Sequence, residues 1–217
     1  MVQINGIVNE YIHVEKPDRE AAPSRQFDIS KIDFDLLSRE FAHARRKNLL
    51  LRDLDELVNQ QLAKMLFANP QRIDYYDRYQ EIIDAYNAEQ NRATIEKTFM
   101  DLMELASSLD TEQQRYVREG FSSDEELSVY DLLFSENLTK QEIETIKKVS
   151  VDLLTKIKQQ IAKLDHWTDK QETKAIVDNL IRNTLWQELP NSYDVSDIQT
   201  YQKKIYEYVY MRYPEVA

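Results

Sequence analysis

The 217-residue chain carries 39 acidic and 28 basic side chains, a net charge of −11, and 42% of its residues are hydrophobic. This proportion of charged and hydrophobic residues predicts a soluble globular chain and excludes an intrinsically disordered one. With two glycines and no cysteine, the sequence also excludes a glycine-rich phosphate or dinucleotide loop, disulfides, thiolate zinc sites and cysteine nucleophiles.

Residues 1–26 are predicted to be a linker or arm from a preceding domain. Pro17 and Pro23 flank a polar stretch, and proline disfavours helix at the residue before it. Residues 11–14 are predicted to form a short strand. The N-terminus lacks the basic and apolar segments of a signal peptide, and no apolar run exceeds four residues. We therefore expect no contact with a membrane, and a cytoplasmic location.

From residue 27 onward, apolar residues recur every three or four positions, which predicts amphipathic helices. The first four apolar faces end near residues 41, 66, 86 and 109. Gly120 is expected to end a short helical turn over 111–119 in a left-handed conformation. Thr139 and Glu142 have the spacing of a capping box, and the helix that follows should bury Leu153 and Ile157.

Two further helices are predicted, from about residue 169 to 188 and from 196 to 213. The sequence thus predicts an all-α fold, an irregular helical bundle of about eight helices over residues 27–217. Two packed helical subdomains, divided near residues 120–139, are the other arrangement we consider. Residues 110–136 hold eight acids against two arginines, and we interpret this run as a solvated face.

Searches for catalytic patterns give little. Glu-x-x-His pairs, as used by di-iron helical bundles, occur at Glu10/His13 and Glu40/His43. The first pair lies in the proline-flanked arm, so we interpret both as chance. A restriction-type nuclease site needs a Pro-Asp pair followed closely by an acid-x-Lys motif. Here these motifs, Pro17-Asp18 and residues 172–174, are about 150 residues apart. Because the carboxylates must converge on one Mg²⁺ ion, we interpret the match as chance. The sequence therefore predicts no catalytic, cofactor or metal-binding residues.

Binding candidates are easier to name. Thirteen tyrosines are unusual, and those of the final helix lie on more than one face, which favours a protein interface. The partner-binding candidates there are Tyr201, Tyr206, Tyr210 and Tyr213. The candidates for contact with the DNA backbone are basic, and the first three are expected to lie late in a helix, where cations favour the dipole: Arg45, Arg46, Lys47, Arg72 and Arg78.

Several stretches, in this order, resemble a known family. They are Phe27-Asp28-Ile29, Ile32-Asp33-Phe34, residues 69–83 (NPQRIDYYDRYQEII), residues 115–120 (RYVREG), Asp131-Leu132-Leu133, Leu138-Thr139-Lys140, Leu189-Pro190-x-x-Tyr193 and Val209-Tyr210. Together they are similar to the C-terminal helical region of the restriction (R) subunit of type I restriction–modification enzymes. The similarity extends from about residue 27 to residue 213.

This resemblance implies that the chain is part of a larger protein, an ATP-dependent type I site-specific deoxyribonuclease. In that family, nuclease and helicase-like domains precede the helical region, and ATP and Mg²⁺ are expected only there. The helical region helps to dock the R subunit on the methyltransferase core of M and S subunits. The chain itself is then expected to be non-catalytic and to meet DNA indirectly, through the complex.

Two other interpretations stay open. One is a stand-alone all-α protein-interaction or metal-binding domain, which the lack of cysteine and of clustered histidine disfavours. The other is direct DNA binding through the basic residues named above. We expect little such binding at physiological salt, because a net charge of −11 repels phosphate.

Overall fold

A computed structural model describes residues 32–89 and 91–214. The predicted arm over residues 1–26 and the predicted strand over 11–14 lie outside the described residues. Within the described ranges the chain is entirely helical apart from its connections, and the predicted all-α bundle of about eight helices is confirmed. In the same ranges, no helix combines the length and apolar character needed to cross a membrane.

The described residues form nine α-helices, of which one is a single short turn. Their bounds are α1 (Phe34–His43), α2 (Lys47–Ala68), α3 (Ile73–Ala88), α4 (Arg92–Gln113), α5 (Arg115–Arg118), α6 (Asp124–Leu133), α7 (Lys140–Ile161), α8 (Gln171–Glu188) and α9 (Val195–Arg212). A 3₁₀ turn, Pro70–Arg72, connects α2 to α3.

The first four helices surround one hydrophobic core. Helix α4 packs against both α2 and α3 and buries Phe99, Leu102 and Leu105 completely. The starts of α2 and α4 meet where Lys47 Nζ lies 2.6 Å from Glu96 Oε1. These two helices therefore run in the same direction. Helix α3 packs mainly against α4 and runs antiparallel to it, because Tyr75 meets Glu112 and Arg78 meets Glu104.

Helices α6 to α9 surround a second hydrophobic core. Helix α7 supplies its centre, and its residues Leu153 and Ile157 are fully buried, which confirms the predicted buried face. Helix α8 packs between α7 and α9. It runs antiparallel to α9, because Asp178 meets Gln202 while Lys174 meets Tyr210 nearer the opposite end of α9.

Two predicted helix signals are confirmed in detail. Thr139 accepts a hydrogen bond from the Glu142 amide and Glu142 accepts one from the Thr139 amide, which completes the capping box of α7. Gly120 has φ of +84°. The amides of Gly120 and Phe121 donate to the carbonyls of Val117 and Tyr116, the pattern of a Schellman motif in which glycine is favoured.

Two helix boundaries differ from the prediction. Helix α4 continues past Leu109 to Gln113, because Glu112 is three residues further along the same buried face and has buried partners there. The run Arg45-Arg46-Lys47 was predicted to lie late in a helix. Instead α1 ends at His43, Arg45 and Arg46 form the connection, and Lys47 begins α2.

The two cores meet along a polar seam. The hydroxyl of Ser128, at the buried face of α6, donates to the carbonyl of Ala68 at the end of α2, over 3.0 Å. Around it, charged side chains from three helices and the 3₁₀ turn converge. The division of the chain into domains stays a prediction.

Candidate protein-interaction site

A cluster of charged and amide side chains occupies the seam, and we call it the junction network. Its members come from the 3₁₀ turn and from α4, α5 and α6: Asn69, Arg72, Glu112, Arg115, Asp124 and Asp131. Arg72 is the centre. Its Nε donates to Glu112 Oε1 over 3.0 Å, and its Nη2 donates to Asp124 Oδ1 over 2.6 Å. Only 3% of its side-chain surface is exposed.

The remaining members extend the network toward α6. Arg115 pairs with Asp131, and its Nε lies 2.9 Å from Glu112 Oε1. Fully buried Asn69 caps the 3₁₀ turn through its side-chain oxygen and donates from Nδ2 to Asp131 over 2.6 Å. Each buried charge therefore has a partner of opposite sign, which is the condition for keeping it inside a protein.

The electrostatics of Arg72 fit this arrangement. Burial by itself lowers the pKa of a guanidinium, but the hydrogen bonds and charges of Asp124 and Glu112 outweigh burial and raise the pKa of Arg72. Arg72 was a candidate for contact with the DNA backbone. In this structure its guanidinium is enclosed by two carboxylates, so it cannot present its donors to a phosphate.

Asp131 behaves differently. Burial raises its pKa above the ordinary value, although Arg115, Asn69 and Arg72 all act to lower it.

The interpretation of residues 110–136 as a solvated face is wrong for Glu112 and Asp131, whose side chains are about nine-tenths buried. It holds for residues such as Glu136, which is exposed.

Next to the 3₁₀ turn, helix α9 forms one wall of an open depression of about 660 Å³. We call it the α9 cleft. Its lining combines α9 residues with Pro70 and Gln71 of the turn, Leu132 of α6 and Lys174 of α8. Because Pro70 and Gln71 directly precede Arg72, the junction network fixes one edge of this cleft.

The cleft is lined by three tyrosines, three lysines, one methionine, one leucine and one proline, together with glutamine, serine and threonine side chains and Glu207. Tyr206 is half-buried, while Tyr210 and Met211 are exposed by 38% and 42%. Lys174, Lys203 and Lys204 contribute three positive charges against the single carboxylate of Glu207. The surface is therefore apolar and locally basic on a chain whose overall charge is −11.

Trp167, in the connection between α7 and α8, supports this surface from inside. It is 1% exposed, and its indole N–H donates to the carbonyl of Tyr213 over 2.6 Å. Its ring meets Tyr206 and Tyr210 edge-on, with centroids 6.2 and 5.7 Å away. The preceding residue, His166, has φ of +45°, a left-handed conformation that turns the chain just before the indole.

The structure brings two of the four tyrosine candidates into the cleft, Tyr206 and Tyr210. Tyr201 lies on the neighbouring face of α9, where its ring meets Tyr193 at 5.5 Å. Tyr213 packs against Tyr208 at the end of the helix, and burial raises its pKa. No finding tests partner binding, so the four remain predictions.

The other basic candidates are separate from the cleft. Arg45 and Arg46 are exposed, and Lys47 pairs with Glu96 and covers the Phe41 ring at 5.0 Å. Arg78 Nη2 lies 2.9 Å from Glu104 Oε1 at the surface of α3. These residues do not form one basic stripe with Arg72.

The patterns interpreted as chance do not assemble a site either. Glu10, His13 and Pro17-Asp18 lie outside the described residues. Glu40 and His43 are exposed on α1. Across residues 32–89 and 91–214, histidine and acidic side chains form no group of three or more placed to hold a metal ion.

Sequence reasoning missed the lysines of the cleft. Lys203 and Lys204 are adjacent in sequence, and an exposed pair of lysines close to exposed Tyr210 and Met211 was a signal that could have found them. Lys174 had no such signal, since only the packing of α8 against α9 brings it there. The junction network was missed because its members are distributed over 63 positions, from Asn69 to Asp131.

Comparisons with known proteins give one match. The model of a family described as "Type I restriction enzyme HindI endonuclease subunit-like, C-terminal" matches residues 19–213. That range contains all nine described helices. A search of curated proteins and a search of solved structures each found no match.

Proposed function

The chain belongs to the family of C-terminal domains of type I restriction enzyme HindI endonuclease subunit-like proteins, and we propose that it is a non-catalytic assembly module. In this role it docks an ATP-dependent, DNA-translocating and DNA-cleaving R subunit onto the methyltransferase core of M and S subunits. The resemblance of residues 27–213 to the R subunit of type I restriction–modification enzymes is confirmed by the family match.

The observation that carries the proposal is the α9 cleft. Aromatic and methionine side chains are enriched in surfaces that bind another protein, and polar groups form the rim of such surfaces. Tyr210 and Met211 remain exposed although their neighbours on α9, Tyr208 and Val209, are almost completely buried. A helix with one face in the core and a partly apolar face outside is suited to receive a partner.

The junction network supports an architectural role. In the junction network, Arg72 and Arg115 are paired with Glu112, Asp124 and Asp131. Charges neutralised inside the protein hold elements together and leave no free acid or base for a substrate. We expect ATP, Mg²⁺ and the cleavage chemistry to belong to other domains of the R subunit.

DNA enters this proposal through the complex. Arg45, Arg46 and Arg78 are surface cations, but their potential acts within a chain of net charge −11. We expect random duplex DNA to bind the isolated chain weakly at about 150 mM salt. Tight binding with a steep dependence on salt would instead indicate a direct DNA-binding role.

The test is assembly with the purified M and S subunits from the same source, measured by light scattering on a sizing column. We expect the mass of a stoichiometric complex for the chain, and a loss of complex for the double variant Tyr210→Ala/Met211→Ala. The matched control is Met100→Ala, which removes another exposed methionine, on α4, 54% exposed.

The same variants should be introduced into the full R subunit. Assembly that is equally tight with and without Tyr210 and Met211, in both the chain and the full subunit, would overturn docking through this surface. Failure of the chain and of the full wild-type subunit to bind M and S would overturn the proposed function itself.

A further inference from the structure

Three lysines around the α9 cleft have no carboxylate partner within the described part of the chain. They are Lys174, Lys203 and Lys204, and the cleft places them around one depression. Elsewhere in the same half of the molecule lysines find partners: Lys147 with Glu119, Lys156 with Glu188 and Lys158 with Glu125. The cleft therefore concentrates three positive charges that form no ion pair with a carboxylate of the described residues, beside the single carboxylate of Glu207.

Two of these ammonium groups lie over tyrosine rings. Lys174 Nζ is 5.7 Å from the centroid of the Tyr210 ring, and Lys204 Nζ is 5.5 Å from that of Tyr201. Such contacts hold a cation in place without using its hydrogen-bond donors. The ammonium groups are therefore positioned and still able to bind carboxylates.

The length of the cleft indicates the size of the ligand. Its lining follows α9 from Ser196 to Met211, which at 1.5 Å per residue is about 22 Å. That length exceeds a typical small molecule and corresponds to about four turns of helix. Apolar groups of Leu132, Tyr206 and Met211 lie along it, so a matching ligand has an apolar stripe as well as charge.

We propose that the α9 cleft binds an acidic, amphipathic helical segment of a partner protein. Apolar side chains of that segment pack on Leu132, Tyr206 and Met211, and its carboxylates accept hydrogen bonds from Lys174, Lys203 and Lys204. The inference rests on the proposed function in placing this segment on the methyltransferase core, and it defines the chemistry of the contact.

A single-stranded nucleic acid is the competing ligand, because lysines beside tyrosines also bind bases and phosphates. The geometry favours protein. The ammonium group of Lys174 already covers one face of the ring of Tyr210, the most exposed tyrosine of the cleft, on which a base would stack. A long polyanion also meets the net charge of −11, whereas a short segment contacts the local lysines only.

The probe for the first experiment is a dye-labelled synthetic peptide of about 15 residues, the number that spans the cleft as a helix. It carries leucines along one helical stripe and glutamates beside it, and a second peptide has lysine in place of each glutamate. Fluorescence anisotropy measures binding to the whole chain. We expect the glutamate peptide to bind at least about tenfold more tightly than the lysine peptide, with an affinity that falls as salt rises.

Variants test whether binding occurs in the cleft. Lys203→Glu/Lys204→Glu should weaken the glutamate peptide about tenfold or more, and Glu207→Gln should strengthen it by a few-fold. Lys97→Glu/Lys163→Glu makes the same charge change at exposed positions outside the cleft and is expected to weaken binding much less. Thermal unfolding of each variant verifies that it is folded.

Several outcomes overturn the inference: no preference for the glutamate peptide, an equal loss for both double variants, or tighter binding of a single-stranded oligonucleotide than of the peptide. A second arm separates the two proposals. If M and S bind the wild-type chain and Lys203→Glu/Lys204→Glu binds them equally well, docking stands and the acidic segment falls. If M and S do not bind the wild-type chain or the full R subunit while the glutamate peptide occupies the cleft, the docking proposal fails and binding of an acidic segment stands.

Discussion

The junction network and the α9 cleft both depend on charged side chains, and they use them in opposite ways. In the junction network, Arg72 has 3% of its side chain exposed and two carboxylates within 3.0 Å. In the α9 cleft, Lys203 and Lys204 are exposed and have no carboxylate partner among the described residues. The two regions share the turn of Pro70–Arg72, so they are neighbours with different tasks.

The contrast shows that a paired, buried charge mainly affects folding stability, whereas an unpaired surface charge mainly affects binding. A buried pair contributes strongly only as a whole, because removing one partner leaves an uncompensated charge inside the protein. An unpaired surface cation contributes little to stability and remains free to bind a partner. Substitutions in the two regions should therefore separate loss of folding from loss of binding.

The largest effect is expected at the centre of the junction network. Arg72→Ala leaves the carboxylates of Glu112 and Asp124 without their cation and should lower the free energy of unfolding by about 3–5 kcal/mol. Chemical denaturation measures this. Arg78→Ala is the control, because Arg78 pairs with exposed Glu104 at the surface, and it should change the free energy by at most about 1 kcal/mol. Similar losses in the free energy of unfolding for Arg72→Ala and Arg78→Ala would contradict the contrast between buried and exposed charge pairs.

A change in apolar packing tests whether instability alone can affect the α9 cleft. Leu153→Ala removes side-chain volume from a fully buried site on α7 and should lower the free energy of unfolding by about 2–5 kcal/mol. Leu153→Met, which keeps the volume, should cost less than about 1.5 kcal/mol. Below the unfolding temperature, both should bind the glutamate peptide as the wild type does. A change under about 0.5 kcal/mol for Leu153→Ala would refute the burial of this face.

Asp131 predicts a smaller, pH-dependent effect. Burial raises its pKa above the ordinary 3.8, so the folded state holds the proton more tightly than the unfolded state does. The stability that protonation provides is present below pH 3.8 and is lost as pH rises through the higher folded pKa. Asp131→Asn mimics the protonated form and should lie within about 1 kcal/mol of wild type at neutral pH.

Denaturation at several pH values tests the sign of this effect. The free energy of unfolding of Asp131→Asn, relative to wild type, should increase as pH rises from below 3.8 toward neutrality. A decrease over the same range would mean that ionised Asp131 stabilises the fold through Arg115 and Asn69. In that case Asp131, like the other charged residues of the junction network, would stabilise the fold in its ionised form.

The smallest effect on stability is expected in the α9 cleft. Lys203→Ala/Lys204→Ala removes two exposed lysines and should change the free energy of unfolding by no more than about 0.5 kcal/mol. The same variant should lose several-fold in affinity for the glutamate peptide. Destabilisation comparable to that of Arg72→Ala would show that the cleft lysines are structural, and the comparison of the two regions would fail.

The helices were predictable from sequence because their signals are local. Apolar spacing, the capping box of Thr139 and Glu142, and Gly120 after a helical turn all act within a few residues. Arg45 and Arg46 were misplaced because a run of cations fits either the end of a helix or the connection that follows it. In the structure α1 ends at His43 and Ala44 is extended.

The sites were less predictable because they depend on long-range packing. Stretches that carry the family resemblance, around Asn69, Arg115 and Asp131, meet in the junction network. The acids of residues 110–136 were interpreted as solvated because a sequence does not show that Glu112 and Asp131 face Arg72 and Arg115. Tyr206 and Tyr210 were predicted from composition, whereas Lys174 required the packing of α8.

The position of Trp167 gives the molecule an internal optical probe. The chain has two tryptophans: Trp167 is 1% exposed and touches Tyr206 and Tyr210, whereas Trp186 is 59% exposed. An indole in an apolar site emits at shorter wavelength than one in water, so the two signals are spectrally distinct. In a Trp186→Phe background, the remaining emission would come from directly beneath the α9 cleft and would follow its occupation without any attached dye.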